Sequence, residues 1–198
     1  MSLPPRLRLW PTADELTRMA RHPAAYAPTA AEVLTPLPVP PPTIVMCDVE
    51  RSLIADIVEW PEAGVRRLRY AGWVEARDPQ RACFIRHQVL GLPRPEGEDI
   101  PDRWAKTFLP FGARDVVFRR GFAEAMSLTG RAFISLGDAL FAATPLREVR
   151  LIAVNFLLPE LLACPHLAKL KRLDLRGNRI APAVLTGCQW LAGVEVVA

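Results

Sequence analysis

Residues 170–180 read LKRLDLRGNRI, which fits the spacing L-x-x-L-x-L-x-x-N-x-I without a gap. The second and third leucines of this stretch alternate with Asp174 and Arg176, as in a strand with one buried and one exposed face. Asn178 follows at a turn, where its amide can bond backbone groups that have no other partner. The stretch therefore predicts a short strand that leads into an asparagine-containing turn.

Three further stretches repeat the apolar part of this pattern. They begin at Ala123, Leu146 and Leu191, so the four copies start 23, 24 and 21 residues apart. In the copy that begins at Leu146, Asn155 lies beside the asparagine position. A fixed period of this length is typical of a solenoid, in which each repeat is a strand plus a return segment that packs against its neighbours.

The segments between these stretches have helical spacing. Apolar residues recur at intervals of three and four over 132–143, and residues 159–170 predict a short helix interrupted near Pro165. Such helical returns resemble the ribonuclease-inhibitor-like branch of the leucine-rich repeats. We therefore expect an α/β fold: a short leucine-rich-repeat-like solenoid of about four parallel strands with helical returns, preceded by a small helical lobe. Ordinary βα units of a small α/β domain are the alternative.

The first part of the chain is rich in proline. Ten of the 20 prolines fall in the first 42 residues, and two S/T-x-x-E capping boxes begin at Thr12 and Thr29. Because proline fixes φ and has no amide donor, residues 1–45 are predicted to form an extended arm with short helices. The arm is either a spacer or a docking motif for a partner.

A helical lobe is predicted over residues 46–95. Asp78 is placed to cap its last helix, with Pro79 at the first helical position. The loose connection 91–102 separates this lobe from the predicted repeat region, 103–198. The apolar spacing predicts three helices in the lobe: 48–58, 66–75 and 79–90.

Residues 67–88 carry a family resemblance. They read RLRYAGWVEARDPQRACFIRHQ, which resembles the bacterial repeat-companion domain, whose usual form is close to R-L-V-Y-A-D-W-L-E-E-x-G-D-P-x-R-A-E-F-I-R-x-Q. The resemblance extends over about residues 48–198. The chain departs from the family pattern at Gly72, where the family has aspartate, and at Cys83, where the family has glutamate. It implies a position beside leucine-rich repeats, but that domain has no defined biochemical role.

Composition limits the cellular setting. Of the 198 residues, 51% are apolar, which is enough for a sizeable core. No apolar run approaches the roughly 18 residues needed to span a bilayer, and the N-terminus lacks a secretion signal. We expect a cytoplasmic protein without membrane association.

The cysteines and histidines do not predict a metal site. The four cysteines are widely separated and include no C-x-x-C pair, so we expect reduced core residues. Cys83 and His87 could share a helix face, and Cys164 is two residues from His166, so zinc is considered, but four clustered ligands at metal-binding spacing are absent. We expect no metal, no cofactor and no enzyme, since H-E-x-x-H, phosphate-loop and G-x-S-x-G motifs are absent too.

The outward positions of the predicted strands suggest a binding surface. Adjacent strands stand about 4.8 Å apart, so these side chains would form rows on a concave face. Charges of both signs beside apolar groups suit a protein partner better than a polyanion. We therefore predict a non-catalytic adaptor or accessory subunit that binds another protein through Ser127, Thr129, Arg150, Ile152, Asp174, Arg176, Glu195 and Val197.

Two further features bear on partners. Residues 195–198 follow the last predicted strand without a capping repeat, so we expect another chain or the N-terminal arm to cover that edge. The formal net charge is +4, and basic residues concentrate between 169 and 179. The alternative function is a subunit associated with nucleic acid in a ribonucleoprotein, with an anion site formed by Lys169, Lys171, Arg172, Arg176 and Arg179.

Overall fold

The computed structural model describes residues 44–92 and 100–198. They belong to one compact unit that spans residues 41–198. The predicted arm lies outside the described residues except for its last two positions, and so does most of the 91–102 connection. The division of the compact unit into a helical lobe and a repeat region stays a prediction.

Three helices open the described part: α1 (Asp48–Glu59), α2 (Gly64–Val74) and α3 (Pro79–Leu90). The three helices predicted from the sequence are confirmed. The α3 helix begins as expected, because the Asp78 carboxylate accepts a hydrogen bond from the Arg81 amide at 3.0 Å. Apolar side chains of the three helices form one cluster around Ile57, Tyr70 and Ile85, which are almost fully buried.

A short helix and a hairpin follow. The helix α4 (Ile100–Ala105) continues into a 3-10 helix (Lys106–Phe111), and the hairpin pairs β1 (Arg114–Arg119) with β2 (Phe122–Thr129). Its two-residue turn has φ of 50° at Arg120 and 84° at Gly121, the sign that a type I′ hairpin turn needs. A Cβ at Gly121 would lie 2.5 Å from Ile85 Cγ1, so the turn packs directly on α3.

The five strands of the described residues form one sheet in the order β1-β2-β3-β4-β5. Apart from the antiparallel hairpin, neighbouring strands are parallel. The α/β class expected from the sequence is thereby confirmed. The remaining strands and their helical connections are α5 (Gly130–Ala143), β3 (Glu148–Ile152), α6 (Leu158–Leu162), β4 (Arg172–Asp174), α7 (Pro182–Leu185) and β5 (Glu195–Val197).

The main core lies between the sheet and these connections. Leu128, Leu151 and Leu173 are almost fully buried in it. Leu128 of β2 and Leu151 of β3 are register partners, and Leu173 of β4 pairs with Val149 of β3. The α5 helix contributes Phe133, and the Thr129 hydroxyl caps this helix by accepting from the Ala132 amide at 3.1 Å. The alternation of apolar and polar residues thus turns one face of the sheet toward the helices.

Asn178 joins the turns that follow β3 and β4. Its Nδ2 donates to the carbonyl oxygens of Leu151 at 2.7 Å and Leu175 at 2.9 Å, and its Oδ1 accepts from the Val154 amide at 3.0 Å. The predicted bonding of turn backbone by this amide is confirmed. Asn155 adds a link between the same turns, because its Oδ1 accepts from the Arg179 amide at 3.2 Å.

A buried ion pair fixes the helices on the sheet. Arg67 of α2 is fully buried, and its Nη2 lies 2.8 Å from Glu124 Oε1 on β2. The same guanidinium donates to the carbonyl oxygens of Pro61 at 2.6 Å, Arg119 at 3.2 Å and Arg120 at 3.1 Å. Since a buried charge is tolerated only when it is paired and hydrogen-bonded, these contacts define one docking geometry.

The pair extends toward the surface through Glu62. Arg120 binds Glu124 at 2.9 Å and Glu62 at 2.5 Å, and Glu62 also forms an ion pair with Lys171 next to β4. The two cations hold the pKa of Glu62 near 2, well below its ordinary value. The turn between α1 and α2 is therefore tied to two separate parts of the sheet region.

Candidate functional site

The strand residues that point away from the helices form rows across the sheet. One row runs through Ser127, Arg150, Asp174 and Val197, which are consecutive partners in the register. Thr129 pairs with Ile152 one step further along β2 and β3. The structure thus brings the outward residues predicted on neighbouring strands side by side. We call this surface the outer face.

A second row was recognised in the sequence only at Glu195. It contains Ala125, Glu148, Arg172 and Glu195, again as consecutive register partners. Counting back two positions from Arg150 would have found Glu148, because side chains on one face of a strand recur at every second residue. The outer face therefore also includes Glu148 of β3 and Arg172 of β4, whereas both outward residues of β5 were predicted.

Ser127 requires a correction. Its side chain was expected to be open to a partner, but the residue is only 8% exposed and its hydroxyl lies 2.9 Å from Asp115 Oδ2. Asp115 belongs to β1, whose register with β2 is irregular between Arg114 and Val117, and it has a φ of 50°. This irregular segment of β1 covers Ser127. The prediction missed this cover, because the periodicity of β2 carries no information about the position of side chains on β1.

Each charged group of the second row has a partner: Glu148 pairs with Arg119 of β1, and Arg172 pairs with Glu195 in the row itself. Arg119 of β1 forms a bidentate ion pair with Glu148, in which Nη2 lies 3.0 Å from Oε2. Arg172 Nη1 lies 3.5 Å from Glu195 Oε1. The Arg119 guanidinium holds the pKa of the Glu148 carboxyl below its ordinary value. Glu148 is therefore ionised at neutral pH and cannot act as a proton donor there.

The first row contains one cation without a partner. Arg176 binds the Asp174 carboxylate at 2.6 Å, and this contact lowers the pKa of Asp174. The neighbouring Arg150 is exposed, and in the part of the chain that the structure describes its guanidinium makes no hydrogen bond or ion pair. Arg150 therefore has all its donors available.

The outer face has a shallow depression of about 210 Å³. Four carboxylates and four guanidinium groups lie in or beside it, so its charges balance: Asp115, Glu148, Asp174 and Glu195 against Arg119, Arg150, Arg172 and Arg176. Ile152 is 37% exposed at the same surface, and Val197 is half-buried. The outer face thus combines apolar groups with both signs of charge.

The five residues of the predicted anion site have different neighbours in the structure. The Lys169 ammonium lies 5.0 Å from the centre of the Phe141 ring on α5, whereas Arg172 and Arg176 line the depression of the outer face. Arg179 uses its backbone amide to bind Asn155. Three of the five cations already have carboxylate partners: Lys171 with Glu62, Arg172 with Glu195 and Arg176 with Asp174.

Among the described residues, β5 is one of the two edge strands of the sheet, and β1 is the other. Within these residues β5 pairs with β4 alone. Leu185, Leu191 and Val196 line an open cavity of about 470 Å³ at the same end. In the part of the chain that the structure describes, this end of the sheet therefore places an edge strand beside apolar side chains.

The described residues contain no group of three or more His, Cys, Asp and Glu side chains that could hold a metal ion. Their helices also include none with the length and apolar content needed to cross a bilayer. No family model, curated protein or solved structure matches this chain.

Proposed function

We propose that this protein is a non-catalytic interaction module or accessory subunit that binds a protein partner through its outer face. The observation that carries the proposal is the free Arg150 guanidinium beside exposed Ile152, on a surface whose other charged groups are largely paired. Protein interfaces commonly combine apolar contacts with arginine anchors. A balanced surface of this kind lacks the excess of cations that a nucleic-acid face needs.

The edge at β5 is the second part of the proposed surface. A partner strand can add to such an edge through backbone hydrogen bonds, and side-chain pockets then give specificity. The apolar cavity lined by Leu185 and Val196 lies at this end and would receive side chains of the added segment.

We also propose that β2 to β5 and their connections are leucine-rich-type repeats of a short solenoid. The parallel order of these strands, their matching register and the bonds of Asn178 between successive turns support this interpretation. For the preceding helices we propose the repeat-companion type. Its support is the resemblance of residues 67–88 and the packing of Tyr70 against Trp73 within α2, with ring centres 5.6 Å apart.

The test of the outer face is affinity capture with charge-reversal variants. Tagged full-length protein and its Arg150→Glu variant are incubated with native lysate, with and without nuclease, and bound proteins are identified by mass spectrometry. We expect a specific protein to be retained by the parent chain in both conditions and lost from Arg150→Glu. The matched control is Arg69→Glu on α2, an exposed arginine that has no ion pair among the described residues.

Two results would contradict the proposal. Equal capture of the partner by the parent chain and by Arg150→Glu would show that the outer face does not bind it. Capture that disappears with nuclease, and that weakens with Arg172→Ala and Arg176→Ala, would instead support the nucleic-acid-associated subunit.

A further inference from the structure

A second cavity lies between the helices and the hairpin, away from the residues of the outer face. It has a volume of about 230 Å³ and is bordered by α1, α2, the start of α3 and β1. Aromatic rings form much of its lining, namely those of Tyr70, Trp104, Phe108, Phe118 and Phe122. Pockets for drug-sized ligands are roughly 300–1,000 Å³, so this cavity suits a smaller molecule.

Arg81 of α3 is the cationic group of this cavity. Its guanidinium carbon lies 4.5 Å from the ring centre of Trp104, 5.3 Å from that of Phe122 and 5.7 Å from that of Phe118. These rings contact the guanidinium as cation–π partners, but they accept no conventional hydrogen bond from its edge. The Nη1 nitrogen of Arg81 is buried and has no hydrogen-bond partner among the described residues.

A buried cationic donor without an acceptor is unfavourable. Burial lowers the pKa of Arg81 to about 10, so the group remains charged at neutral pH. A carboxylate oxygen that reached Nη1 would satisfy the donor and neutralise the charge in one contact. The unsatisfied nitrogen therefore points to an anionic group on the ligand.

The other charged groups of the cavity limit how much negative charge the ligand can carry. Glu50 accepts from the Tyr70 hydroxyl at 2.8 Å, and Asp78 accepts from Arg103 Nη2 at 2.9 Å. Both carboxylates line the cavity near Arg81. Glu50 and Asp78 already match the charges of Arg81 and Arg103, so a monocarboxylate adds one negative charge to the cavity, whereas a phosphate or other dianion adds two and is repelled more strongly.

We propose that this cavity is a binding site for a small organic monocarboxylate with an apolar body. Its carboxylate accepts a hydrogen bond from Arg81 Nη1, and its body packs against the rings of Phe108, Phe118 and Trp104. Such a site combines an apolar lining with a few converging polar groups, as small-molecule sites do. The site is independent of the proposed protein interaction, because it shares no residue with the outer face.

The test compares probes that differ only in the anionic group. Benzoate, its neutral analogue benzamide and inorganic phosphate are titrated into the full-length protein labelled with nitrogen-15. Binding is followed through the indole signal of Trp104, with that of Trp190 as the internal reference. We expect benzoate to shift the Trp104 signal with saturation and to bind at least about tenfold more tightly than benzamide, since the charged hydrogen bond is lost in the amide.

Variants separate binding from a purely structural role of Arg81. Arg81→Lys keeps the charge beside the aromatic rings but loses the planar fork, so we expect about a tenfold loss of benzoate affinity with the fold retained. Arg69→Gln is the control, because Arg69 is exposed on α2 and does not line the cavity, and the benzoate affinity of this variant should stay within about twofold of the parent value. Circular dichroism and thermal melting check that both variants are folded.

Each contrary result overturns the proposal. The absence of a saturable Trp104 shift with benzoate would show that the cavity takes no such ligand. Equal affinity for benzamide, or unchanged benzoate affinity in folded Arg81→Lys, would show that Arg81 does not hold a carboxylate. Tighter binding of phosphate at Trp104 would show a site for inorganic anions instead. If Arg81→Lys does not fold, the benzoate and benzamide comparison on the parent protein still decides.

Discussion

Asn178 is a single side chain that bonds two successive turns. Replacing it with alanine removes the bonds to Leu151, Leu175 and Val154 and leaves partly buried backbone groups unpaired. We expect Asn178→Ala to lower the free energy of unfolding by about 2–4 kcal/mol, measured by urea denaturation. Asn155→Ala, which removes one exposed bond, should cost only about 0.5–1 kcal/mol. Equal losses in the two variants would contradict the role given to Asn178.

Gly137 shows where a glycine is required by space alone. It lies in α5, and a Cβ on it would be 2.3 Å from Cδ2 of His166. We expect Gly137→Ala to destabilise the protein by about 1–3 kcal/mol in thermal or urea unfolding, because the imidazole ring must move out of its stacking on Phe141.

The matched control for this change is Gly72→Ala in α2, where a Cβ meets nothing within 4 Å. This substitution should stabilise the protein by about 0.5–1 kcal/mol, since alanine is the better helix residue. Adding His166→Ala to Gly137→Ala should reduce the penalty. Additive effects of the two substitutions would show that the ring is not the obstacle.

At the level of elements, Glu62 links the turn between α1 and α2 to the hairpin and to β4. Its pKa is about 2 in the folded protein, below the ordinary 4.5, because Lys171 and Arg120 bind its carboxylate. The resulting stabilisation is complete above about pH 4.5 and is lost as the pH falls toward 2. We expect Glu62→Gln to lower stability at neutral pH by less than about 1 kcal/mol, since the side chain is half exposed, and to abolish this part of the acid dependence.

Urea midpoints measured at several pH values would show this difference between the parent chain and Glu62→Gln. Glu59→Gln serves as the control, because Glu59 has no ion pair or hydrogen bond among the described residues. A constant difference between the parent and Glu62→Gln from pH 5 to about pH 2 would contradict the assigned pKa.

The elements themselves were largely predictable, because their signals are local. The Asp78 cap, the apolar alternation around Leu173 and the turn at Asn178 each depend on residues close in sequence. The contacts of the outer face were less predictable. The cover that Asp115 places over Ser127 and the pairing of Arg172 with Glu195 depend on strand register, which periodicity within one segment does not contain.

At the level of the whole molecule, the pair of Arg67 and Glu124 joins the helices to the sheet in the core. Arg67→Met removes the cation and its three carbonyl contacts, so we expect a loss of about 3–5 kcal/mol in the free energy of unfolding. Hydrogen exchange followed by mass spectrometry should show α2 and β2 losing protection together, because both depend on the same contact.

The control for this prediction is the neighbouring substitution Arg66→Met. Arg66 pairs with Asp56 nearer the surface, so its loss should cost about 0–1 kcal/mol. Loss of protection in α2 alone in the Arg67→Met protein would show that the helices and the sheet unfold separately. That result would favour the predicted division into two lobes.

The register of β2 to β5 also determines which changes the protein can accumulate over generations. Arg150 and Asp174 alternate along their strands with leucines that face the helices, yet their own side chains contribute nothing to the packing on that opposite side. A substitution at either position changes the chemistry of the outer face and leaves the buried side chains in place. The sequence of the outer face can therefore change one residue at a time, and each substitution affects contacts on that face without disturbing the core.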